Sequence, residues 1–423
     1  MNFIVRTFLD FRSAIKLSDG LLILHKWDLL FFAGSKESLT QNLRFFTGRS
    51  RFRARTIYMP SSNRSVDGTR EKHPRGVRMP LDNGRIASLL AQEGATARGH
   101  LALALKRASR SALLWSEEAA DLVATGRPLT ELQGIGPNLS KLIVGWIKSP
   151  PPEISNQDSL EFLTMSQAKR LLAENPRWCA NLKGDLHMHT DWSDGSATVH
   201  DMARTACEQG YQYIAITDHT KGLKIVRGLD ETRLDAQGEE ICAVNKLLRN
   251  QGLELEVLRS AEVNLSVDGE VDIDRAILAN LDVVLGSFHS ALRKQEIQTA
   301  RFLAALRNPA IQILGHPQGR VYNYRAGLEA EWSRVFAEAA RLDKAVEIDG
   351  YPDRQDLKIS LLKIARREGV RISLGTDAHH PWQLIFMNFS LAAACLAKIR
   401  PDRIVNFLSA RDLMAWVKSV RER

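Results

Sequence analysis

Cysteine is scarce in this 423-residue chain, and the four that occur, Cys179, Cys207, Cys242 and Cys395, are far apart and form no Cys-x-x-Cys pair. That argues against a disulfide framework or a thiolate zinc site, and it suits a reducing cytoplasm. A long apolar run is also missing, because Arg6, Asp10, Arg12, Lys16, Asp19, Lys26 and Asp28 break every apolar patch near the start. Neither a transmembrane helix nor the clean apolar core of a signal peptide is expected there, so the reading is a cytoplasmic protein with no membrane partner. Glycine, proline and low-complexity sequence are not in excess, and 44% apolar with 25% charged residues is a globular composition. The net charge is +9, but residues 1–79 hold 15 Lys and Arg against 6 Asp and Glu, which leaves 43 of each sign in the rest. Attraction to a phosphate backbone must therefore come from local patches or from the leading segment.

That leader, residues 1–79, is basic and is expected to be disordered, especially over residues 40–80, which are dense in Arg, Ser and Asn. Two explanations stand for it: upstream sequence translated ahead of a true start at Met79, or a basic arm that grips nucleic acid. Residues 80–148 carry apolar side chains at three- and four-residue spacing in RIASLLAQEG, GHLALALKRASRSALLW and EEAADLVATG, with Gly94 and Gly126 as helix stops. A small all-α domain follows. Residues 149–181 open on the stiff SPPPEISNQ and continue through one helix, SQAKRLLAEN, as a linker. From residue 182 to 423 short apolar strands alternate with amphipathic helices: GDLHMH, YIAITDH, LEVLRSAEV, DVVLGSFH, IQILGH, AVEIDG and RISLGTD. Seven such βα units predict an α/β fold with a parallel barrel.

All but one of those strands end in residues that bind metal well: His187 and His189, His219, Glu262, His289, His316, then Asp377 with His379. Loops at the carboxyl ends of barrel strands converge on one face, so these endings are predicted to meet. Side chains at i and i+2 on a strand share a face, which lets His187 pair with His189 and Asp377 with His379. Asp194, in WSDG, adds a hard oxygen. A lone His-x-His or Thr-Asp-His is common without function; the argument rests on six of the eleven histidines lying at strand ends, where burial without a partner is costly. His25, His73, His100 and His200 have no such placement, and His380 stands only beside the site.

DLHMHTDWSDG, AITDHTK, AEV, SFHS, ILGHPQGR and GTDAH resemble, in order, the motif pattern of the PHP domain, the polymerase and histidinol phosphatase superfamily. The resemblance covers residues 184 to about 420 and implies a distorted seven-stranded (β/α) barrel holding three divalent ions. By that resemblance His187, His189, Glu262 and Asp377 hold one ion, Glu262 bridges to a second completed by His289 and His316, and Asp194, His219 and His379 hold the third. Imidazole and carboxylate without thiolate suit zinc, manganese or iron alike. Such ions activate a bridging water, a metal-bound hydroxide, as nucleophile and neutralise charge on phosphoryl oxygens, so no protein nucleophile is required. Lys221, Arg320 and Arg354 are the candidate phosphate contacts.

In the helical domain, LQGIGPNLSK over residues 132–141 resembles the hairpin of a helix-hairpin-helix motif. Gly134 and Gly136 would let backbone N–H groups approach a DNA phosphate, with Lys141 beside them; the contact reads backbone rather than bases. A plain helix junction is the bland alternative. The order of helical segment, hairpin and barrel is similar to bacterial family X DNA polymerases, but only residues 149–181 stand where those place a palm, so polymerisation is excluded on this reading. What the resemblance implies is hydrolysis of phosphate esters in DNA repair, as 3′-5′ exonuclease, 3′-phosphatase or abasic endonuclease. Lys106 as a lyase amine is weighed and set below an ordinary exposed lysine. The rivals are a small-molecule phosphatase of the histidinol-phosphate type and a non-catalytic DNA-binding scaffold.

Overall fold

The computed structural model describes residues 13–17, 20–25, 28–33, 81–151, 161–223 and 225–423. The chain divides into two compact units after Gly76. In the first, β1 (Ser13–Leu17), β2 (Gly20–His25) and β3 (Asp28–Ala33) form an antiparallel meander. Residues 40–80 and the candidate initiator Met79 lie outside the described residues.

The second unit begins with helices α1 (Asn83–Thr96), α2 (Gly99–Leu114), α3 (Ala119–Ala124) and α4 (Pro137–Lys148). Asp82 caps α1 by accepting from the Arg85 N–H at 2.8 Å. Gly126 ends α3 as expected, with a left-handed φ of +74°. Gly94 does not end α1, which runs on to Thr96; a Cβ there would sit 3.2 Å from Leu105 and Lys106, so this glycine serves the close approach of α2. Ile86, Leu90, Leu113, Trp115, Leu122, Leu129 and Ile143 form the core of this bundle. Two outsiders join it, Phe162 from the connecting segment and Tyr322 from a barrel loop.

That connecting segment is more than a linker. Beside the expected helix, α5 (Met165–Glu174), it holds a second, α6 (Pro176–Asn181). A capping box between Thr164 and Gln167 starts α5, and its apolar face (Met165, Ala168, Leu172) enters the largest core of the barrel.

All seven expected strands form: β4 (Gly184–Asp185), β5 (Tyr213–Ile216), β6 (Glu256–Asn264), β7 (Val283–Ser287), β8 (Ile313–Leu314), β9 (Ala345–Asp349) and β10 (Arg371–Gly375). They pair in parallel in sequence order. A parallel bridge between Met188 and Ala378 brings the first strand against the last, with the His189 N–H donating to the Ala378 carbonyl at 2.7 Å. Helices α7 (Val199–Glu208), α8 (Glu231–Asn250), α9 (Arg275–Leu278), α10 (Thr299–Arg307), α11 (Trp332–Arg341), α12 (Ile359–Glu368) and α13 (Met387–Leu396) follow successive strands.

Strand alternation sorts the side chains into two layers. Tyr213, Ala215, Leu258, Val283, Leu285, Ile313 and Ala345 share one cluster with Leu413, Trp416, Val417 and Val420 of α14 (Ala410–Arg421). Ile214, Ile216 and Val257 face helices on one side, Val284, Leu314, Val346 and Ile348 on another. Both strand faces are buried, as a parallel barrel requires. Carried upward at period two, the inner face of Leu258 reaches Glu262, that of Ala345 reaches Glu347 and Asp349, and that of Leu285 reaches His289.

Tyr322→Ala is expected to cost about 3 kcal/mol or more in the helical bundle, because it empties a site enclosed by both parts of the unit. Calorimetry would then resolve an early bundle transition ahead of barrel melting; coincident, unshifted transitions would contradict the docking.

Candidate metal centre

All nine candidate ligands meet at the carboxyl ends of the strands. His187 and His189 follow β4, and their Nε2 atoms stand 3.2 Å apart. Asp377 Oδ1 lies 3.1 Å from His189 Nε2 and 3.6 Å from His187 Nε2. Glu262, on β6, is central: Oε2 is 2.8 Å from His219 Nδ1, while Oε1 is 2.7 Å from His316 Nε2 and 3.2 Å from His289 Nε2. Asp194 Oδ2 stands 3.4 Å from His379 Nε2 and 3.7 Å from His219 Nε2.

Among the described residues, three groups have donor atoms within 4.8 Å of one another: His187, His189 and Glu262; His219, Glu262 and His289; His189, Asp194, His219 and His379. Glu262 is shared between the first two. Relative to the sets the resemblance implies, His219 also joins the second group and His189 the third, while His316 stands against Glu262.

The donor set fits divalent cations. His189 Nδ1, His219 Nδ1, Glu262 Oε2 and His289 Nε2 are buried and, despite their close approaches, make no well-aligned hydrogen bond. Several such atoms gathered in one place are costly unless a cation satisfies them. Charge balance without a cation is uneasy. Burial and the neighbouring His379 and His219 push His189 down to about 3. Burial opposes a charge on His187, yet Glu347, Glu262 and Asp377 outweigh it and raise its pKa well above the ordinary value. Burial likewise opposes ionisation of Glu262, but His219, His289 and His187 hold it well below the usual carboxylate range.

Supporting residues that the sequence reading did not single out hold the ligands in place. Glu347 accepts from His187 Nδ1 at 2.7 Å through one oxygen and from the His316 N–H at 2.7 Å through the other. The first contact fixes the tautomer that turns His187 Nε2 toward the cluster. Asp218 accepts from Thr190, Ser193 and Gln237, bracing the loop after His189. Asn264 lies 3.1 Å from His289 Nδ1. Gly375 makes room for this arrangement: a Cβ there would lie 2.3 Å from Glu347 Oε1 and 2.6 Å from His187 Cβ. The available signal for Glu347 was its inward register on a strand buried on both faces; a glutamate in AVEIDG carries no other mark.

The three candidate phosphate contacts separate. Arg354 is on the rim and pairs with Asp377 Oδ2. Lys221 is exposed and pairs with Glu231 at 2.6 Å. Arg320 is turned from the mouth, contrary to expectation: it is buried, stacks 3.7 Å over Phe162 and donates to the carbonyls of Arg354 and Glu161. Its proximity to His316 in sequence concealed a loop that folds back on the helical bundle.

At the hairpin, Leu132 and Ile135 plug into the bundle core, while Gly134, Gly136 and Lys141 are exposed. Gly134 has φ +80° and Gly136 precedes the first turn of α4 with open space at its Cβ position.

Fold and mouth together define a (β/α) barrel whose mouth gathers His, Asp and Glu side chains in clusters that could hold metal ions. The PHP domain model matches residues 185–373, and the chain belongs to the PHP domain family. It is 35% identical over 269 residues to the DNA polymerase/3′-5′ exonuclease PolX of Bacillus subtilis (strain 168), covering 63% of this chain and 45% of that protein. The chain thus spans under half of that relative's length. A probable phosphatase of Photobacterium profundum is 30% identical over 207 residues, 46% of this chain and 77% of that protein. Among solved structures, the histidinol phosphate phosphatase of Lactococcus lactis, complexed with zinc, L-histidinol and phosphate, aligns at TM-score 0.39 and 18% identity over 51% of this chain and 92% of that one.

Glu347→Gln is expected to lower metal affinity by roughly 10- to 100-fold through loss of the His187 brace, and Gly375→Ala to do the same by displacing Glu347. Metal content after dialysis against a graded chelator checks both; full retention in both variants would remove Glu347 from the centre.

Metal affinity should also rise with pH. His187 and His219 have raised pKa values: burial opposes their charge, but the carboxylates around them, Glu347 and Glu262 first, prevail. A cation must therefore displace protons. Titration calorimetry in buffers of different ionisation enthalpy at near-neutral pH should register net proton release, and zero release would refute the sign.

Proposed function

We propose that this chain is a metal-dependent hydrolase of phosphate esters that works at DNA ends or lesions, as a 3′-5′ exonuclease, 3′-phosphatase or abasic endonuclease in DNA repair. The convergence of nine imidazole and carboxylate ligands on one barrel mouth, with Arg354 on its rim, carries the reading. His187, His189, Glu262 and Asp377 would hold one ion, Glu262, His289 and His316 a second, and Asp194, His219 and His379 a third. Bound zinc, manganese or iron would supply a water acidic enough to attack at neutral pH and positive charge for the phosphoryl oxygens.

The chain's own residues supply orientation and charge. Glu347 and Asn264 hold His187 and His289 by their Nδ1 atoms, which aims the opposite nitrogens inward. Arg354, paired with Asp377, is placed to exchange part of that pairing for a non-bridging phosphate oxygen. Its partners Asp377 and Asp349 raise its pKa against the opposing effect of burial, so it stays cationic throughout the working pH range.

The DNA part of the proposal draws on the hairpin. The exposed Gly134–Gly136 turn leads into α4, whose first N–H groups suit a backbone phosphate, and Lys141 sits on the next turn. The sequence likeness to the Bacillus polymerase/exonuclease supports the same substrate class. Polymerisation is left out of the proposal, since the described residues between α4 and β4 hold only two helices. No described helix is long and apolar enough to cross a membrane. A small-molecule phosphatase is the second reading, favoured by the formal neutrality of residues 80–423.

Purified protein with Mn²⁺ should release label from 3′-labelled DNA, and a His187→Ala, His189→Ala double variant should lose both bound metal and turnover. Release from small monoesters with none from DNA would select the second reading. A Gly136→Val, Lys141→Glu variant should weaken DNA binding and flatten its salt dependence by about one unit of slope per lost phosphate contact. An unaltered slope would detach the hairpin from the substrate.

A further inference from the structure

Two loops that follow metal ligands meet on one side of the mouth. The loop after His289 exposes Arg293 and Lys294. The loop after His316 makes a tight turn in which Val321 pairs antiparallel with Arg325, and Asn323 takes a left-handed φ of +51°. Within that turn Tyr322 is buried in the helical bundle, whereas Tyr324, two residues on, is 64% exposed. Single exposed rings are ordinary on protein surfaces; what sets this one apart is the arginine held against it.

Its surroundings are cationic. The Arg293 guanidinium lies 4.7 Å from the Tyr324 ring centroid and donates to its hydroxyl, bracing the ring from one side. Arg325 stands close enough to Arg354 and Arg293 that their charges, after burial, lower its pKa. Arg354 in turn reaches Asp377 at the metal centre. A braced aromatic face with Arg293 thus stands where the loops after His289 and His316 meet, and Arg325, whose Nε donates to the Gly319 carbonyl, lies on the same turn as Tyr324.

We propose that Tyr324 is a stacking platform for the terminal base of a single DNA strand, whose phosphates are taken by Arg293, Arg325 and Arg354 on the way to the metal centre. Stacking tolerates any base, which matches recognition of a strand end rather than of a sequence. The inference rests on the reading of the site as a phosphoesterase acting on DNA, and it deepens that reading by naming an unpaired strand end as the substrate. A small monoester would reach the ions without touching Tyr324.

The test uses the full metal-loaded chain and a phosphorothioate-linked oligonucleotide, slow to hydrolyse, whose last 3′ base is 2-aminopurine. Stacking on Tyr324 should quench the fluorescence. Tyr324→Ala should remove the quench, weaken binding roughly tenfold, and lower the ratio of oligonucleotide to small-monoester kcat/KM by a similar factor; Tyr324→Trp should restore all three. Quenching by Tyr324→Ala equal to that of the unmodified chain, or an unchanged ratio, overturns the platform. If the unmodified chain cleaves DNA and Tyr324→Ala behaves identically, the platform alone fails. Should the Tyr324-dependent quench appear without DNA cleavage, the platform stands and hydrolysis at DNA ends falls.

Discussion

Everything at the mouth depends on one unfavourable fact: nitrogen and carboxylate lone pairs are buried facing one another. His187 and His189 present Nε2 atoms 3.2 Å apart, and Glu262 stands within 3.2 Å of three further imidazoles. Desolvated ligand atoms at such spacing repel unless a proton or a cation lies between them. The protein can hold this arrangement only because the backbone is fixed independently. The Met188–Ala378 bridge and the donation from His189 N–H to Ala378 close the barrel where the ligands of the first and last strands adjoin. The apolar layer below, sealed by α14, supplies the folding free energy that the polar layer does not.

Around that cluster the support is a shell of buried acids, each doing a distinct task. Glu347 divides its two oxygens between a side chain and a backbone amide, so it sets both the tautomer of His187 and the path of the chain at His316. Asp218 performs the corresponding service for the loop that carries Asp194, and Asp185 accepts from Thr376 just ahead of Asp377. Asp349 differs, because burial and the charge of Asp377 raise its pKa well above the carboxylate norm. It accepts from the Tyr351 N–H and so shapes the loop bearing Arg354.

How much of this was legible in sequence follows from the range of each interaction. The seven strands and the nine candidate ligands were readable because their signals are local: apolar runs, i and i+2 spacing, and position at a strand end. All nine meet in space. Glu347 was missed because an acid inside a strand looks the same whether it supports a ligand or merely faces a polar layer. Arg320 was misplaced for a different reason. Its neighbours in sequence point to the site, but its side chain is drawn to Phe162, which lies over 150 residues earlier in the chain. Tyr322 was invisible likewise, since only the folded structure says that a barrel loop completes the core of a separate bundle.

That last feature bears on how the two parts of the unit work together. Arg110 of α2 approaches Asp353 at 3.8 Å, and the Asp353 carbonyl accepts from the Tyr322 N–H at 2.7 Å. Gln355 binds both the N–H and the carbonyl of Leu163, at 2.8 Å each, which ties the connecting segment to the same loop. Arg354 lies between these attachments, and its guanidinium reaches the ligand Asp377. The helical bundle is therefore fastened to the two loops that carry Arg354 and Tyr324, as well as to α5 through Asn83, Glu118 and the Trp115 carbonyl, which meet Ser166. On the proposed function, where the reacting ester belongs to a long polymer, such fastening would keep a remote grip and the reacting centre in constant register, which a flexible tether would not do.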